Sequence, residues 1–79
     1  MKNKIIVYST TSCPYCQMVK AFLKEKGFKF EEIDVSKNRE KALEMIEKSG
    51  QMGVPVVEIN GKIIIGFNRP KIEQELKIK

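Results

Sequence analysis

A short, nearly continuous apolar run, KIIVY at positions 4–8, limits the folds that are open to this chain. A run of this kind, rich in β-branched residues, is typical of a strand buried on both faces of a sheet. Such a strand needs helices packed on both sides, because its side chains avoid water on either face. With 79 residues, the chain is long enough for one small domain, residues 1–79, and too short for a second. We therefore expect a single α/β domain.

The residues after this strand predict a helix, a second strand and a second helix. Pro14 suits the first turn of a helix, and apolar residues then recur at helical spacing until Gly27. A strand is expected over residues 28–35, and a helix follows that begins after Asn38 and ends near Gly50. Strand, helix and strand in this order form a right-handed parallel unit.

The last third of the chain predicts an antiparallel hairpin. Asn60 and Gly61 lie between PVVEI and KIIIG, and this pair is typical of a two-residue type I′ turn. Pro70 then opens a short helix that carries Ile72 and Leu76 towards the core. The element order is β-α-β-α-β-β-α, which predicts a four-stranded mixed sheet with helices on both faces.

Composition and charge exclude several classes of protein. Apolar residues make up 42% of the chain, with only five glycines and three prolines, which indicates a packed globular domain. The apolar stretch near the N-terminus is too short for a signal peptide or a membrane span, so we expect a cytoplasmic protein with no membrane partner. The formal charge is +5, but the lysines are interleaved with glutamates, so no nucleic-acid partner is expected. We expect the protein to be a monomer.

Both cysteines lie in one segment, TSCPYC at residues 11–16, directly after the first strand. A permanent crosslink is a weak explanation, because a Cys13–Cys16 bond closes too short a loop to restrict the unfolded chain much. Residues three apart on a helix share a face, with Cβ atoms about 5 to 6 Å apart. The pair can therefore form and open a disulfide without rebuilding the fold. The remaining explanations are a redox centre and a metal site.

The positions of the two cysteines predict different roles in redox chemistry. Cys13 lies at the N-cap or in the first turn, where unpaired backbone N–H groups and the positive end of the helix dipole favour a thiolate. Cys16 lies one turn further along and is expected to be more buried. We therefore expect Cys13 to attack a substrate disulfide and Cys16 to resolve the mixed disulfide.

Metal binding is the alternative of another class. A structural zinc site needs four Cys or His ligands, whereas this chain has two cysteines and no histidine. Copper carriers of similar length also place C-x-x-C at the start of their first helix, and thiolates bind Cu(I). Those carriers run β-α-β-β-α-β and carry methionine where this chain has Thr11. A Cu(I) or iron–sulfur carrier stays open, although we expect no bound metal and no cofactor beyond a redox-active Cys13–Cys16 disulfide.

With this element order, the sequence resembles the glutaredoxins of the thioredoxin-fold superfamily. The similarity covers the whole chain and includes the first strand, the TSCPYC segment, GVP at residues 53–55 and Gly66 after the fourth strand. It implies a thioredoxin-like fold and thiol-disulfide exchange through Cys13 and Cys16. The implied substrates are disulfide-containing proteins or small-molecule disulfides.

The resemblance also implies a substrate groove beside the cysteines. The Val54–Pro55 bond is expected to be cis and to lie against the cysteine pair, which leaves the Val54 backbone free to pair with a bound thiol peptide. The general alternative is an ordinary proline at a strand start, since cis bonds are uncommon. Other residues implied in substrate binding are Thr11, Pro14, Tyr15, Gly66 and Phe67.

Several positions depart from the glutathione-using members of this family. Those relatives carry a basic residue where this chain has Thr10, Thr-Val-Pro at residues 53–55, and Gly-Gly followed soon by Asp at residues 66–69. Two charges that hold the ends of glutathione are therefore missing, and Arg69 or Lys71 would replace them only in part.

Phe67 allows two interpretations. Its ring either occupies the place where a second glycine lets the ligand approach, or packs under the last helix. The overall pattern is closer to the small NrdH-type redoxins, so we expect re-reduction by a thioredoxin reductase, with an ordinary glutathione-dependent glutaredoxin as the alternative. The resemblance suggests ribonucleotide reductase as a substrate, and a general protein reductant fits the same residues.

Overall fold

The structure, a computed structural model, describes residues 4–77. Its elements follow the predicted order: β1 Ile5–Ser9, α1 Pro14–Glu25, β2 Glu31–Asp34, α2 Arg39–Ser49, β3 Val56–Ile59, β4 Lys62–Ile65 and α3 Arg69–Leu76. Between residues 4 and 77 no helix has the length and apolar character needed to cross a membrane.

The four strands form one mixed sheet in the order β2-β1-β3-β4. β1 runs parallel to β2 and antiparallel to β3, where Tyr8 lies opposite Val56. β3 and β4 form an antiparallel hairpin. Asn60 and Gly61 at its turn have φ angles of 50° and 89°, which a type I′ turn requires. The predicted parallel unit and late hairpin are therefore confirmed.

β1 is buried on both faces of the sheet, because its successive side chains point in opposite directions. Ile6 and Tyr8 pack with Met45 of α2 on one face. Ile5 and Val7 pack with α1 and α3 on the other face, in a core cluster whose buried members are Ile5, Val7, Val19, Phe22, Leu23, Val57, Ile59, Ile64, Ile72 and Leu76. Helices cover both faces, as the apolar run at residues 4–8 predicts.

The second and third helices begin at asparagine residues that cap them. Asn38 Oδ1 accepts the backbone N–H of Lys41 at 3.1 Å, and Asn68 Oδ1 accepts that of Lys71 at 3.3 Å. These bonds satisfy N–H groups that have no partner within the helix. Gly50 ends α2 with a φ of 74°, a left-handed conformation that glycine adopts at little cost. The predicted limits of α2 are therefore confirmed.

The second strand is shorter than predicted. The sequence predicts a strand over residues 28–35, whereas β2 comprises only Glu31–Asp34. Phe28 and Phe30 instead pack against the core cluster under α1 from outside the sheet. The Phe28 N–H donates to the Leu23 carbonyl at 2.9 Å, so this residue belongs to the turn that ends α1. An apolar pattern indicates burial but does not separate a strand from a loop packed on the core.

Candidate active site at the start of helix α1

The chain leaves β1 at Ser9, turns, and enters α1 with Cys13 as the N-cap residue. Cys13 has extended backbone angles, and its Sγ accepts the N–H of Cys16 at 3.1 Å. Pro14 follows in the first turn, where its missing N–H costs no hydrogen bond. A thiol sulfur therefore occupies the position that usually holds a Ser, Thr, Asp or Asn oxygen.

The two cysteines differ in exposure. Both are free thiols; Cys13 is half-buried, whereas Cys16 is 0% exposed. Burial raises the pKa of Cys16 to about 12, and the hydrogen bond and charge of Cys13 act in the same direction. A backbone hydrogen bond with Thr10 and the cation of Lys20 lower the pKa of Cys16 and oppose this rise. The predicted difference in burial is confirmed, because Cys13 is partly accessible and Cys16 is fully buried.

A polar cluster that sequence reasoning did not predict lies next to Cys16. Lys20, one helical turn after Cys16, places its Nζ 2.6 Å from Glu32 Oε2 of β2. Ser9 Oγ donates to the same Glu32 oxygen at 3.1 Å. The hydrogen bond from Lys20 is the main cause that lowers the pKa of the Glu32 carboxyl below its ordinary value. We call these three residues the Lys20 cluster.

The Lys20 cluster leaves only a partial signal in the sequence. Lys20 stands four residues after Cys16, between the buried residues Val19 and Phe22 of α1. A lysine at the border of an apolar helix face indicates a side chain that is partly covered. Its partner Glu32 lies on a different element, so the pairing depends on how α1 lies over the sheet.

Pro55 lies at the end of the sheet from which the cysteine loop emerges, where β1 ends and β3 begins. The Val54–Pro55 peptide bond is cis, and Pro55 is buried. Pro55 directly precedes β3, whose first residue pairs with Tyr8 near the end of β1. The Pro55 carbonyl accepts the N–H of Gly66 at 2.8 Å, and Gly66 has a φ of 74° that favours glycine. Pro55, Gly66 and the loop to Cys13 therefore lie at the same end of the sheet.

The other residues predicted to bind substrate have different surroundings. Thr11, Pro14 and Tyr15 flank Cys13 along the chain and are exposed, with Tyr15 60% exposed. Val54 is half-buried and packs against the core on the α2 side. Within residues 4–77, no hydrogen bond occupies the Val54 backbone N–H or C=O. These two polar groups therefore lie unpaired at the end of the sheet where Pro55 is found.

Phe67 packs inward. Its ring lies edge-to-face with that of Phe22, with ring centres 6.0 Å apart and an interplanar angle of 66°. Phe22 lies on α1 more than two turns after Cys13, so this contact does not bring Phe67 to the reactive sulfur. Of the two interpretations of Phe67, the contact supports packing under the last helix.

Two residues at the start of α3 are engaged within the chain. Arg69 Nε lies 3.2 Å from Glu73 Oε2, and the guanidinium carbon lies 5.1 Å from the centre of the Phe22 ring. Asn68 caps α3 through its Oδ1 atom. Arg69 therefore already has an anionic partner, and Asn68 supplies a neutral side chain where glutathione-using relatives resembling this chain carry an acid.

The donor atoms of the site suit few metals. In the described part of the chain, His, Cys, Asp and Glu side chains form no group of three or more that is placed to hold a metal ion. The Cys13–Cys16 pair supplies two sulfurs, fewer than the four ligands of a structural zinc site. Of the metals considered, two thiolates suit Cu(I) best.

Comparison with known proteins decides the family. The glutaredoxin family profile matches residues 5–64 of the chain. The chain belongs to the glutaredoxin family. This glutaredoxin is 41% identical over 70 residues, 89% of its length and 93% of the relative's, to an uncharacterised glutaredoxin-like protein of the rubredoxin operon of Clostridium pasteurianum. It is 40% identical over 60 residues, 76% of its length and 72% of the relative's, to glutaredoxin 3 of Escherichia coli strain K12.

A solved structure agrees with this assignment. The crystal structure of a glutaredoxin from Archaeoglobus fulgidus matches with a TM-score of 0.86 at 28% sequence identity, covering 94% of this chain and 86% of that one. The predicted thioredoxin-like fold and the family resemblance are confirmed. Membership of the family makes this glutaredoxin a thiol-disulfide oxidoreductase.

Proposed function

We propose that this glutaredoxin reduces protein or small-molecule disulfides by a dithiol mechanism, with Cys13 as the nucleophile and Cys16 as the resolving thiol. The observation that carries this proposal is the unequal placement of the two sulfurs. Cys13 Sγ accepts the Cys16 N–H at 3.1 Å at the start of α1, and Cys16 itself is fully buried. The N–H groups and the dipole of the first turn stabilise negative charge on the sulfur that substrate reaches first.

The reaction transfers two electrons in two exchange steps. The Cys13 thiolate attacks one sulfur of the substrate disulfide, a bond forms between them, the substrate S–S bond breaks, and the first substrate sulfur leaves as a thiolate that takes a proton from water. Cys16 then attacks Cys13 Sγ, the bond between Cys13 and the substrate breaks, and the second substrate thiol leaves with a proton. The dithiol becomes the Cys13–Cys16 disulfide, and no dissociable cofactor takes part.

The unpaired Val54 N–H and C=O groups support substrate binding at the end of the sheet near Pro55. An extended peptide that pairs with the Val54 N–H and C=O would bind there like an added strand. Recognition through the main chain accepts many sequences, which suits a monomeric reductant of several cytoplasmic proteins. Ribonucleotide reductase is one such substrate, suggested by the resemblance to NrdH-type redoxins.

We further propose that a thioredoxin reductase, rather than glutathione, restores the dithiol. The support is the set of side chains where glutathione-using relatives carry charges. Thr10 and Asn68 are neutral, and Arg69 is already paired with Glu73 at 3.2 Å. A ligand with two carboxylates and an amine loses charge-assisted hydrogen bonds in such a site, each worth about 1.5 to 3 kcal/mol.

The dithiol mechanism is tested by trapping the mixed disulfide. Cys16→Ser leaves attack intact and removes resolution, so the variant accumulates a substrate adduct on Cys13 that intact-mass spectrometry detects. Cys13→Ser is the matched control, since it changes the same atom at the other cysteine and is expected to form no adduct. An adduct on Cys13→Ser but not on Cys16→Ser would reverse the two roles.

The reductant is tested by a side-by-side rate measurement. Oxidised protein is mixed either with NADPH and a thioredoxin reductase or with millimolar glutathione, and the loss of the Cys13–Cys16 disulfide is followed. We expect fast reduction by the reductase and slow reduction by glutathione. Equal or faster reduction by glutathione would place the protein with the glutathione-dependent glutaredoxins.

A further inference from the structure

Resolution requires a negative charge on a sulfur that water does not reach. Cys16 is 0% exposed, and burial is the largest cause that raises its pKa, to about 12. The attacking species in thiol-disulfide exchange is the thiolate, so a fully protonated Cys16 slows the second step. A nearby positive charge lowers this barrier because it favours the thiolate.

We propose that Lys20, held in place by Glu32 and Ser9, is a positioning residue that stabilises the Cys16 thiolate during resolution. This inference rests on the dithiol mechanism proposed above. Lys20 does not touch the substrate; it acts through Cys16.

The geometry places Lys20 one helical turn after Cys16 and anchors its ammonium group to the sheet. Residues four apart on a helix have Cβ atoms about 5 to 6 Å apart, so Lys20 and Cys16 share one face of α1. The Lys20 side chain is only 14% exposed, and its Nζ is held 2.6 Å from Glu32 Oε2. Ser9 is 1% exposed and holds the same carboxylate oxygen at 3.1 Å. The cluster therefore fixes a cation that a free lysine would carry into solvent.

The mixed disulfide makes the charge of Lys20 more important than it is in the free dithiol. The titratable and charged groups that act on Cys16 are Cys13 and Lys20 from α1, with Glu32 of β2 reaching it through Lys20 and the Thr10 backbone contributing from the loop after β1. Once Cys13 is bonded to substrate, it carries no thiolate, so its effects on Cys16 disappear. Burial then opposes ionisation, and Lys20 and the Thr10 backbone favour it.

The size of the effect follows from the thiolate fraction and its reactivity. An opposite charge that shifts a pKa by about one unit changes the thiolate fraction about tenfold. A less basic thiolate is also less nucleophilic, with a Brønsted coefficient of about 0.5. Removing the Lys20 charge is therefore expected to slow resolution about threefold at fixed pH.

The experiment follows both exchange steps in one reaction. Reduced protein is mixed with 5,5′-dithiobis(2-nitrobenzoate) in a stopped-flow instrument between pH 6 and 9. The first release of nitrothiobenzoate reports attack by Cys13, and the second reports resolution by Cys16. Lys20→Met is expected to leave the first phase unchanged and to slow the second about threefold, so that a given rate is reached at a pH about half a unit higher.

Matched variants separate this role from a structural one. Lys20→Arg keeps the charge and is expected to restore the second phase. Lys24→Met removes a lysine from the exposed side of the same helix and is expected to change neither phase. Lys20→Gln is measured as well, because it removes the charge and keeps a hydrogen-bond donor for Glu32. It provides the test if Lys20→Met fails to fold.

Two different results would contradict two different proposals. A second phase with an unchanged rate and pH profile in folded Lys20→Met or Lys20→Gln, even with a lower free energy of unfolding, would reduce the Lys20 cluster to a structural ion pair. Absence of the second phase in the unmodified protein, with or without the first, would instead overturn the dithiol mechanism itself.

Discussion

The N-termini of α1 and α2 are built alike and differ in the atom that caps them. Cys13 Sγ accepts the N–H of Cys16 at 3.1 Å, and Asn38 Oδ1 accepts the N–H of Lys41 at 3.1 Å. Both capping residues have extended backbone angles, and in both helices the donor is the third helical residue. Asn68 repeats the asparagine version at α3.

Replacing an amide oxygen by sulfur turns a helix cap into a reactive group. At α2 the hydrogen bond satisfies a backbone N–H and stabilises the helix. At α1 the same hydrogen bond and the same helix dipole act on an atom that can attack a disulfide. The third residue also differs: it is a lysine in α2 and α3, and the buried thiol of Cys16 in α1. In the proposed mechanism, these two side chains turn an ordinary helix start into a redox site.

Cys13→Asn removes this difference and is expected to have the largest effect. Disulfide reduction should fall to the uncatalysed rate, because no nucleophile is left at the cap. Asparagine is a preferred cap, so the free energy of unfolding should be unchanged or up to about 1 kcal/mol higher. The measurements are a disulfide-reduction assay and urea unfolding. Retained activity would show that Cys13 is not the nucleophile.

Asn68→Asp tests whether the cap of α3 limits the use of glutathione. Aspartate caps a helix as well as asparagine, so stability should be preserved while a negative charge is added near the site edge. A new charge-assisted hydrogen bond to the glutathione amine, worth at least about 1.5 kcal/mol, should raise the rate of reduction by glutathione about tenfold. Asn38→Asp, the same change at α2, should leave the rate unaltered. An equal increase in both variants would indicate a general charge effect.

Alkaline pH should reduce the stability contributed by the start of α1, which contains the titrating thiol of Cys16, and not that of the asparagine-capped helices. The pKa of Cys16 rises from an ordinary value of 9.0 to about 12 on folding, so its contribution to stability is present below pH 9 and is lost as the pH rises towards 12. Between pH 8 and pH 10, under reducing conditions, the unmodified protein should lose about 1.4 kcal/mol more unfolding free energy than Cys16→Ala. Parallel loss in both proteins would contradict a buried, protonated Cys16.

Asn38→Ala should have the smallest effect and should affect stability alone. Loss of the cap is expected to cost about 1 kcal/mol of unfolding free energy, with no change in the rate of disulfide reduction. Urea unfolding and the same reduction assay measure both quantities. Asn38→Ser, another preferred cap, should restore stability. A marked loss of activity in Asn38→Ala would mean that the start of α2 also contributes to the site.

The cysteine site was predictable because its signals are local. Cys13, Pro14 and Cys16 lie within one helical turn, so helix-start chemistry alone indicates which sulfur is capped and which is buried. Gly50 and the Asn60–Gly61 turn are local signals as well, and the structure agrees with each of them. These features do not depend on what the elements pack against.

The surroundings of the site were less predictable because they join distant parts of the chain. The sequence around Phe67 is compatible with ligand binding and with packing, and the ring contact with Phe22 supports packing. Arg69 was a candidate partner for glutathione, whereas the structure pairs it with Glu73 and stacks it on Phe22. The sequence around Arg69 is equally compatible with a free cation that binds a ligand and with a cation that is paired within its helix.

By itself, the sequence determined the element order, the two-sided burial of β1 and the positions of the two cysteines at the start of α1. Each of these follows from residue spacing along one or two neighbouring elements. Only the tertiary structure decided that Lys20 and Ser9 both bind Glu32 and that β2 starts at Glu31. It also decided that Pro55 lies at the same end of the sheet as the cysteine loop. These contacts depend on how the helices lie on the sheet and on how the strands pair. Local residue patterns do not encode this arrangement, because the same side chain can contact several different partners in different tertiary structures.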